Sequence, residues 1–224
     1  MVKNIIVAID ENKESLFKNI VDSLDNKKCM IKIGSVAFNS IGHELIRYVS
    51  NKGFDIFLDL KLHDIPNTVK KSIEGLRSLP INMLTIHISG GKNMMQAAMR
   101  AVENTDIKIF GVTALTSLNN QDAIEIYSRP IKDQVERMLD LAEEVGIHGI
   151  VCSPHELKLT SKRDSLLSLT PGIRLKDLND DQKRFMSPKQ AFELGANYIV
   201  IGRAITASND IRETLNNIYS DINT

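Results

Sequence analysis

The stretch Phe54-Asp55-Ile56-Phe57-Leu58-Asp59-Leu60-Lys61-Leu62-His63-Asp64-Ile65-Pro66-Asn67-Thr68 carries an apolar run into a knot of charges and then into a turn. Phe54 to Leu60 reads as a strand, rich in aromatic and branched residues that suit a pleated surface. Helical periodicity takes over from Thr68 to Leu79. Positions i and i+2 of an extended chain share a face, so Asp59 and Lys61 project together at the strand end. Asp64 follows where the chain turns. A strand that feeds a helix, with polar groups at the junction, is a βα unit.

The same unit recurs on both sides of this stretch. Strands are expected at Ile5 to Ile9, Met30 to Ile33, Phe54 to Leu60, Met83 to Ile88, Ile107 to Val112, Gly149 to Cys152, Leu166 to Leu169 and Tyr198 to Ile201. Amphipathic helical stretches lie between them at Ser15 to Leu24, Val36 to Val49, Thr68 to Leu79, Asn93 to Val102, Ile131 to Val145 and Ile205 to Ile218. Eight units in 224 residues average about 28 residues each, close to the ~30 of a βαβ motif. No Gly-x-Gly-x-x-Gly follows the first strand, which favours closure over an open doubly wound sheet. The expected architecture is α/β, a (β/α)8 TIM barrel, with residues 1–224 forming one domain because no Pro/Gly/Ser-rich linker divides them.

Composition narrows the function. The 28 Lys plus Arg balance 28 Asp plus Glu, so no overall positive field exists to hold a nucleic acid. The apolar run around Ile81 to Ile88 is interrupted by Asn82, Thr85 and His87 and is far shorter than the ~18 residues of a membrane span. Neither nucleic acid nor membrane is an expected partner. Met1 to Asp10 has no cleavage-site pattern, and two cysteines, Cys29 and Cys152, cannot build a disulfide framework. A reducing, cytoplasmic setting is expected.

A barrel places its chemistry at the carboxyl ends of the strands. Asp10 ends the first strand, Lys32 lies in the second, and Asp59 and Lys61 end the third. A salt bridge closing the barrel top is the plain structural explanation. Burying alternating charges costs several kcal/mol per ion unless they are well paired, however, and functional sites are where such arrangements are retained. After the last strand, Gly202 and Arg203 precede a helix, and the pair is suited to a phosphate: backbone N–H groups, close approach and a guanidinium. The polar segment from Thr170 to Pro188 is longer than an ordinary loop and suggests a lid whose Arg174 and Gln182 reach the ligand. The five histidines show no His-x-His or His-Glu-x-x-His spacing, so no metal is expected. His63 and His87 read as structural. No Gly-x-Ser-x-Gly elbow is present, and Cys152 has no evident base, which leaves acyl-enzyme chemistry unsupported.

Asp59-Leu60-Lys61-Leu62-His63-Asp64-Ile65-Pro66-Asn67-Thr68 resembles the signature of the orotidine 5'-phosphate decarboxylase family. The resemblance runs on through Val7-Ala8-Ile9-Asp10, Ile31-Lys32-Ile33-Gly34, Val112-Thr113-Ala114-Leu115-Thr116-Ser117, Thr170-Pro171-Gly172-Ile173-Arg174, Asp181-Gln182-Lys183-Arg184 and Ile201-Gly202-Arg203. It implies decarboxylation of orotidine 5'-monophosphate to uridine 5'-monophosphate and CO2, the last step of de novo UMP biosynthesis, without cofactor or metal. By the same resemblance Lys61 is the proton donor to C6, Asp59 faces the departing carboxylate, Asp64 completes the charge network and Lys32 links it to the ribose. Asp10 and Thr68 would serve the ribose end, Thr116 the pyrimidine region, and Arg174, Gln182, Gly202 and Arg203 the phosphate. It further implies a homodimer in which the Asp64 to Thr68 stretch crosses to the neighbouring site. The alternative is a magnesium-dependent sugar-phosphate decarboxylase or aldolase of the same superfamily. Those relatives are expected to carry an acidic ligand where this chain has Lys32, whose charge would repel the ion.

Overall fold

The computed structural model describes residues 4–173 and 186–223. Eight parallel strands close into a barrel in sequence order. They are β1 (Ile5–Ile9), β2 (Cys29–Gly34), β3 (Ile56–Leu62), β4 (Met83–His87), β5 (Lys108–Val112), β6 (Gly149–Val151), β7 (Leu167–Thr170) and β8 (Tyr198–Ile201). Pairing of Ile5 with Ile199 and of Val7 with Ile201 joins the last strand to the first. All eight expected strands are present, with ends shifted by a residue or two; β3 runs on through Lys61 to Leu62.

The described helices are α1 (Glu14–Ser23), α2 (Ser35–Ile41), α3 (Glu44–Asn51), α4 (Pro66–Leu76), α5 (Gly91–Ala101), α6 (Asn120–Tyr127), α7 (Ile131–Val145), α8 (Leu157–Thr160), α9 (Pro188–Glu193), α10 (Arg203–Thr206) and α11 (Ile211–Asn223). Two expected helices are each split. Gly42, with φ of +92°, separates α2 from α3 within the stretch read as Val36 to Val49. Asp210 starts α11 afresh, its carboxylate accepting the Glu213 N–H at 2.9 Å. The periodicity is real in both stretches, but it continues across a punctuation that only the backbone reveals. Helix α6 was not expected; its signal is the Asn119/Asp122 capping box, in which Asn119 Oδ1 accepts the N–H groups of Gln121 and Asp122.

Strand alternation sorts the core into two layers. Outward residues such as Ile5, Val7, Ile9, Ile31, Ile33, Leu84 and Ile86 pack under the helices. Inward residues form the barrel interior: Ile6, Ala8, Met30, Phe57, Met83, Phe110, Val112, Val151, Leu169, Tyr198 and Val200. Phe110 is the hub of this second layer, with its ring 6.4 Å from Phe57 and 6.2 Å from Tyr198 between centroids. Gly149 lets β6 approach, since a Cβ there would lie 2.5 Å from the Leu167 carbonyl oxygen. The apolar plug fills the lower barrel, so the inward positions one step further along each strand are left to line its mouth.

Truncation of the hub is expected to be costly. Phe110→Ala should lower the unfolding free energy by about 3–5 kcal/mol in urea titrations, while Ile124→Ala on the exposed face of α6 should stay within about 0.5 kcal/mol of the parent.

Candidate active site

The inward positions at the carboxyl ends of the first four strands carry polar side chains, charged on the first three. Next beyond Ala8 comes Asp10, beyond Met30 comes Lys32, beyond Phe57 comes Asp59, and beyond Met83 come Thr85 and His87. Register sets them side by side: Ala8 faces Lys32, Gly34 faces Asp59, and Leu58 faces Leu84. The side chains form a row of alternating sign. Lys32 Nζ lies 3.1 Å from Asp10 Oδ1 and 3.5 Å from Asp59 Oδ2, and Lys61 Nζ lies 2.7 Å from the same Asp59 oxygen. Lys32 and Asp59 are buried, at 9% and 8% exposure, whereas Asp10 is exposed and Lys61 is partly so. The row therefore runs from the mouth into the barrel wall and out again.

Lys61 reaches Asp59 by a route different from simple strand alternation. Between Leu58/Leu84 and Leu62/Ile86, four residues of β3 advance against two of β4, and Lys61 has a φ of +49°. This bulge in the left-handed region re-aims the lysine. Thr85 holds the distortion: its hydroxyl accepts the Lys61 N–H at 2.9 Å and donates to Asp59 Oδ1 at 2.9 Å. Gly34 clears the other side, because a Cβ there would come within 2.9 Å of both Asp10 Oδ1 and Lys32 Nζ.

The electrostatics follow from this packing. Burial pushes the Asp59 carboxyl up, but the charges of Lys32 and Lys61, with hydrogen bonds from Lys61 and Thr85, outweigh it and hold the group below its ordinary 3.8. Asp59 thus stays ionised at neutral pH. Its contribution to stability is present above the unfolded value and is lost as pH falls through the lower folded one. At the rim, the His63 and His87 rings meet with centroids 5.2 Å apart, and burial, with His63 and Lys61 nearby, pushes His87 down from its ordinary value. Cys152 is buried and its thiol is pushed up to about 12, which leaves no thiolate at neutral pH. Among the described residues no three His, Cys, Asp or Glu side chains gather in a way that could hold a metal ion. None of the described helices is long and apolar enough to cross a membrane.

The expected site residues divide into three groups. Asp10, Lys32, Asp59 and Lys61 come together as described. Asp64 does not join them: its Oδ1 accepts the Ile65 N–H at 2.7 Å, and the side chain is exposed. Pro66 starts α4 two residues later, so the chain turns outward at Asp64. Thr68 is exposed in the first turn of α4, Thr116 is exposed after β5, and Gly202 with exposed Arg203 opens α10 after β8. A Cβ at Gly202 would meet nothing closer than Ala8 at 3.8 Å, so the space over that turn is open. Arg174 and Gln182 lie outside the described residues. Thr85 and Gly34 were missed as site residues. A threonine in an apolar strand is ordinary, and its only signal is that it stands two positions before His87 on the inward face.

The chain resembles known proteins over nearly its whole length. The family model described as "Orotidine 5'-phosphate decarboxylase / HUMPS family" matches residues 3–218. The chain is 44% identical over 208 residues to an orotidine 5'-phosphate decarboxylase of Wolbachia sp. subsp. Brugia malayi, covering 92% of each chain. It is 42% identical over 222 residues to that of Ehrlichia canis, covering 98% of this chain and 97% of the other. Its fold superposes on the crystal structure of orotidine 5'-phosphate decarboxylase from Lactobacillus acidophilus with a TM-score of 0.87, 31% identity and full coverage of both chains. With nearly the whole chain matched in sequence and in fold, the protein belongs to the orotidine 5'-phosphate decarboxylase / HUMPS family.

Proposed function

We propose that this carboxy-lyase converts orotidine 5'-monophosphate to uridine 5'-monophosphate and CO2 in pyrimidine biosynthesis, with Lys61 as the proton donor to C6. The observation that carries this reading is the Lys61 ammonium held 2.7 Å from a buried, ionised Asp59 at the barrel mouth. Breaking the C6–CO2 bond leaves an electron pair on C6, and no sink for it exists in the pyrimidine ring's own substituents. A fixed ammonium stabilises that charge as it develops and then transfers a proton to C6, becoming a neutral amine that solvent reprotonates. Asp59 orients the ammonium and, by its own charge, disfavours a carboxylate placed beside it. Lys32 ties Asp59 to Asp10, which extends the row towards the ribose hydroxyls.

The remaining residues have roles at a distance from the chemistry. Gly202 and Arg203, with Arg174 and Gln182, would hold the phosphate, Thr116 the pyrimidine region and Thr68 the ribose end. Binding energy from the phosphate can then support a closed, dehydrated site, so that Arg203 affects turnover as well as affinity. Asp64 would act in the neighbouring subunit's site of a homodimer. Its exposure, and that of the adjacent Ile65 at 66%, supports this, since an isoleucine so placed gains by being covered. The buried Lys32 also supports a metal-free site, because its ammonium occupies the gap between the two carboxylates nearest to hand, Asp10 and Asp59. Two buried cysteines, too few for a disulfide framework, suit a reducing, cytoplasmic setting.

Three outcomes are expected. In buffer with EDTA and no added cofactor, the purified protein should change the ultraviolet absorbance of orotidine 5'-monophosphate to that of uridine 5'-monophosphate; activity that vanishes with EDTA and returns with magnesium would refute the metal-free mechanism. Lys61→Ala should lose turnover by at least about a hundredfold while still binding uridine 5'-monophosphate in calorimetry, and equal turnover would remove Lys61 from the chemistry. Mixing inactive Asp64→Ala and Arg203→Ala subunits should restore up to about a quarter of parental activity, because half the dimers are mixed and each contains one intact site. No recovery after verified subunit exchange would rule out shared sites.

A further inference from the structure

Thr85 is fully buried in the barrel interior and touches both members of the Asp59–Lys61 pair. Lys61 N–H donates to its hydroxyl, the hydroxyl donates its single proton to Asp59 Oδ1, and Asp59 Oδ2 accepts from Lys61 Nζ. The three bonds close a ring that leaves the Lys61 main chain and returns to the same residue's ammonium. Each part of the ring answers a specific problem. At the register shift Lys61 N–H is displaced from the regular β3–β4 ladder, and an unmet buried amide is costly. The Thr85 oxygen takes the place of the missing carbonyl. A non-glycine residue at φ of +49° persists only where its surroundings over-determine it, and this bond is one that does so. The carboxylate has two equivalent oxygens, and tying Oδ1 to Thr85 fixes Oδ2 as the edge shared by Lys61 at 2.7 Å and Lys32 at 3.5 Å.

We propose that Thr85 is a positioning residue for the decarboxylation, its hydroxyl fixing both the bulge that aims Lys61 and the rotation of the Asp59 carboxylate. The proposal rests on the reading of Lys61 as proton donor. Thr85 touches no substrate in this scheme; it acts through the two residues that do. Its loss should therefore be felt in the chemical step and little in binding, since the phosphate and ribose contacts lie on other strands.

The test compares Thr85→Val, which keeps the shape and removes the hydroxyl, with Thr85→Ser, which keeps the hydroxyl. Steady-state turnover of orotidine 5'-monophosphate is measured alongside uridine 5'-monophosphate binding and thermal unfolding. Thr85→Val should lose about ten- to hundredfold in kcat, with KM and product affinity within about threefold of the parent. Thr85→Ser should recover kcat to within about threefold. A merely structural threonine would lower the unfolding temperature and leave kcat per folded molecule unchanged. Parental kcat in Thr85→Val, a loss expressed in KM alone, or a loss in Thr85→Ser as large as in Thr85→Val would each overturn the proposal. If Thr85→Val does not fold, Thr85→Ala replaces it, and a kcat loss beyond about tenfold in Thr85→Ser is decisive against the role. A parent that fails to turn over the substrate defeats the functional reading and this proposal together. An active parent with an equally active Thr85→Val defeats this proposal alone.

Discussion

The site is organised around one buried carboxylate. Asp59 sits inside a barrel wall where an isolated charge would be driven to neutralise, and it remains ionised because Lys32, Lys61 and Thr85 converge on its two oxygens. Each of those partners is in turn placed by Asp59. Without it, Lys32 would be a buried ammonium bonded only to the exposed Asp10, and the Lys61 ammonium would lose its partner at 2.7 Å. The mutual dependence makes the row a unit, so removing one member leaves the others uncompensated rather than simply unbonded.

The barrel makes that unit possible by separating two demands. Its lower interior is closed by Phe57, Phe110, Tyr198 and their neighbours, which provide rigidity without polar atoms that need partners, apart from the tyrosine hydroxyl. The mouth is then free to hold charges that contribute nothing to packing. Adjacent parallel strands bring Asp10, Lys32, Asp59 and Thr85 from four successive βα units within contact distance, although the chain between Asp10 and Thr85 passes through four helices. The β3 bulge adds what regular pleating lacks, an extra advance that lets Asp59 and Lys61 act on each other at close range.

Much of the architecture is legible in the amino-acid sequence because it is written in short-range periodicity. Short apolar runs mark the strands, and helices such as Ile131 to Val145 announce themselves by a stripe of apolar residues and a terminal glycine, Gly146, in the left-handed conformation. Where the reading fails, a backbone event intervenes within a continuous pattern: Gly42 and Asp210 break helices whose apolar stripe carries on past them. The charged residues of β1, β2 and β3 were legible as a candidate site because charge at a strand end is unusual and the barrel rule says where such charges point.

The sequence by itself determined the barrel, the family resemblance and the identity of the four charges in the row, since these depend on residue type and spacing along the chain. Only the tertiary structure decided that Thr85 and Gly34 belong with them, and that Asp64 turns away from the lysine three residues before it. The physical reason is that these are relations between strands. A register shift of β3 against β4 decides which hydroxyl meets which amide, and a missing Cβ on β2 matters only because Asp10 and Lys32 meet above it. Such relations have no period along a single strand and exist only once the barrel has closed.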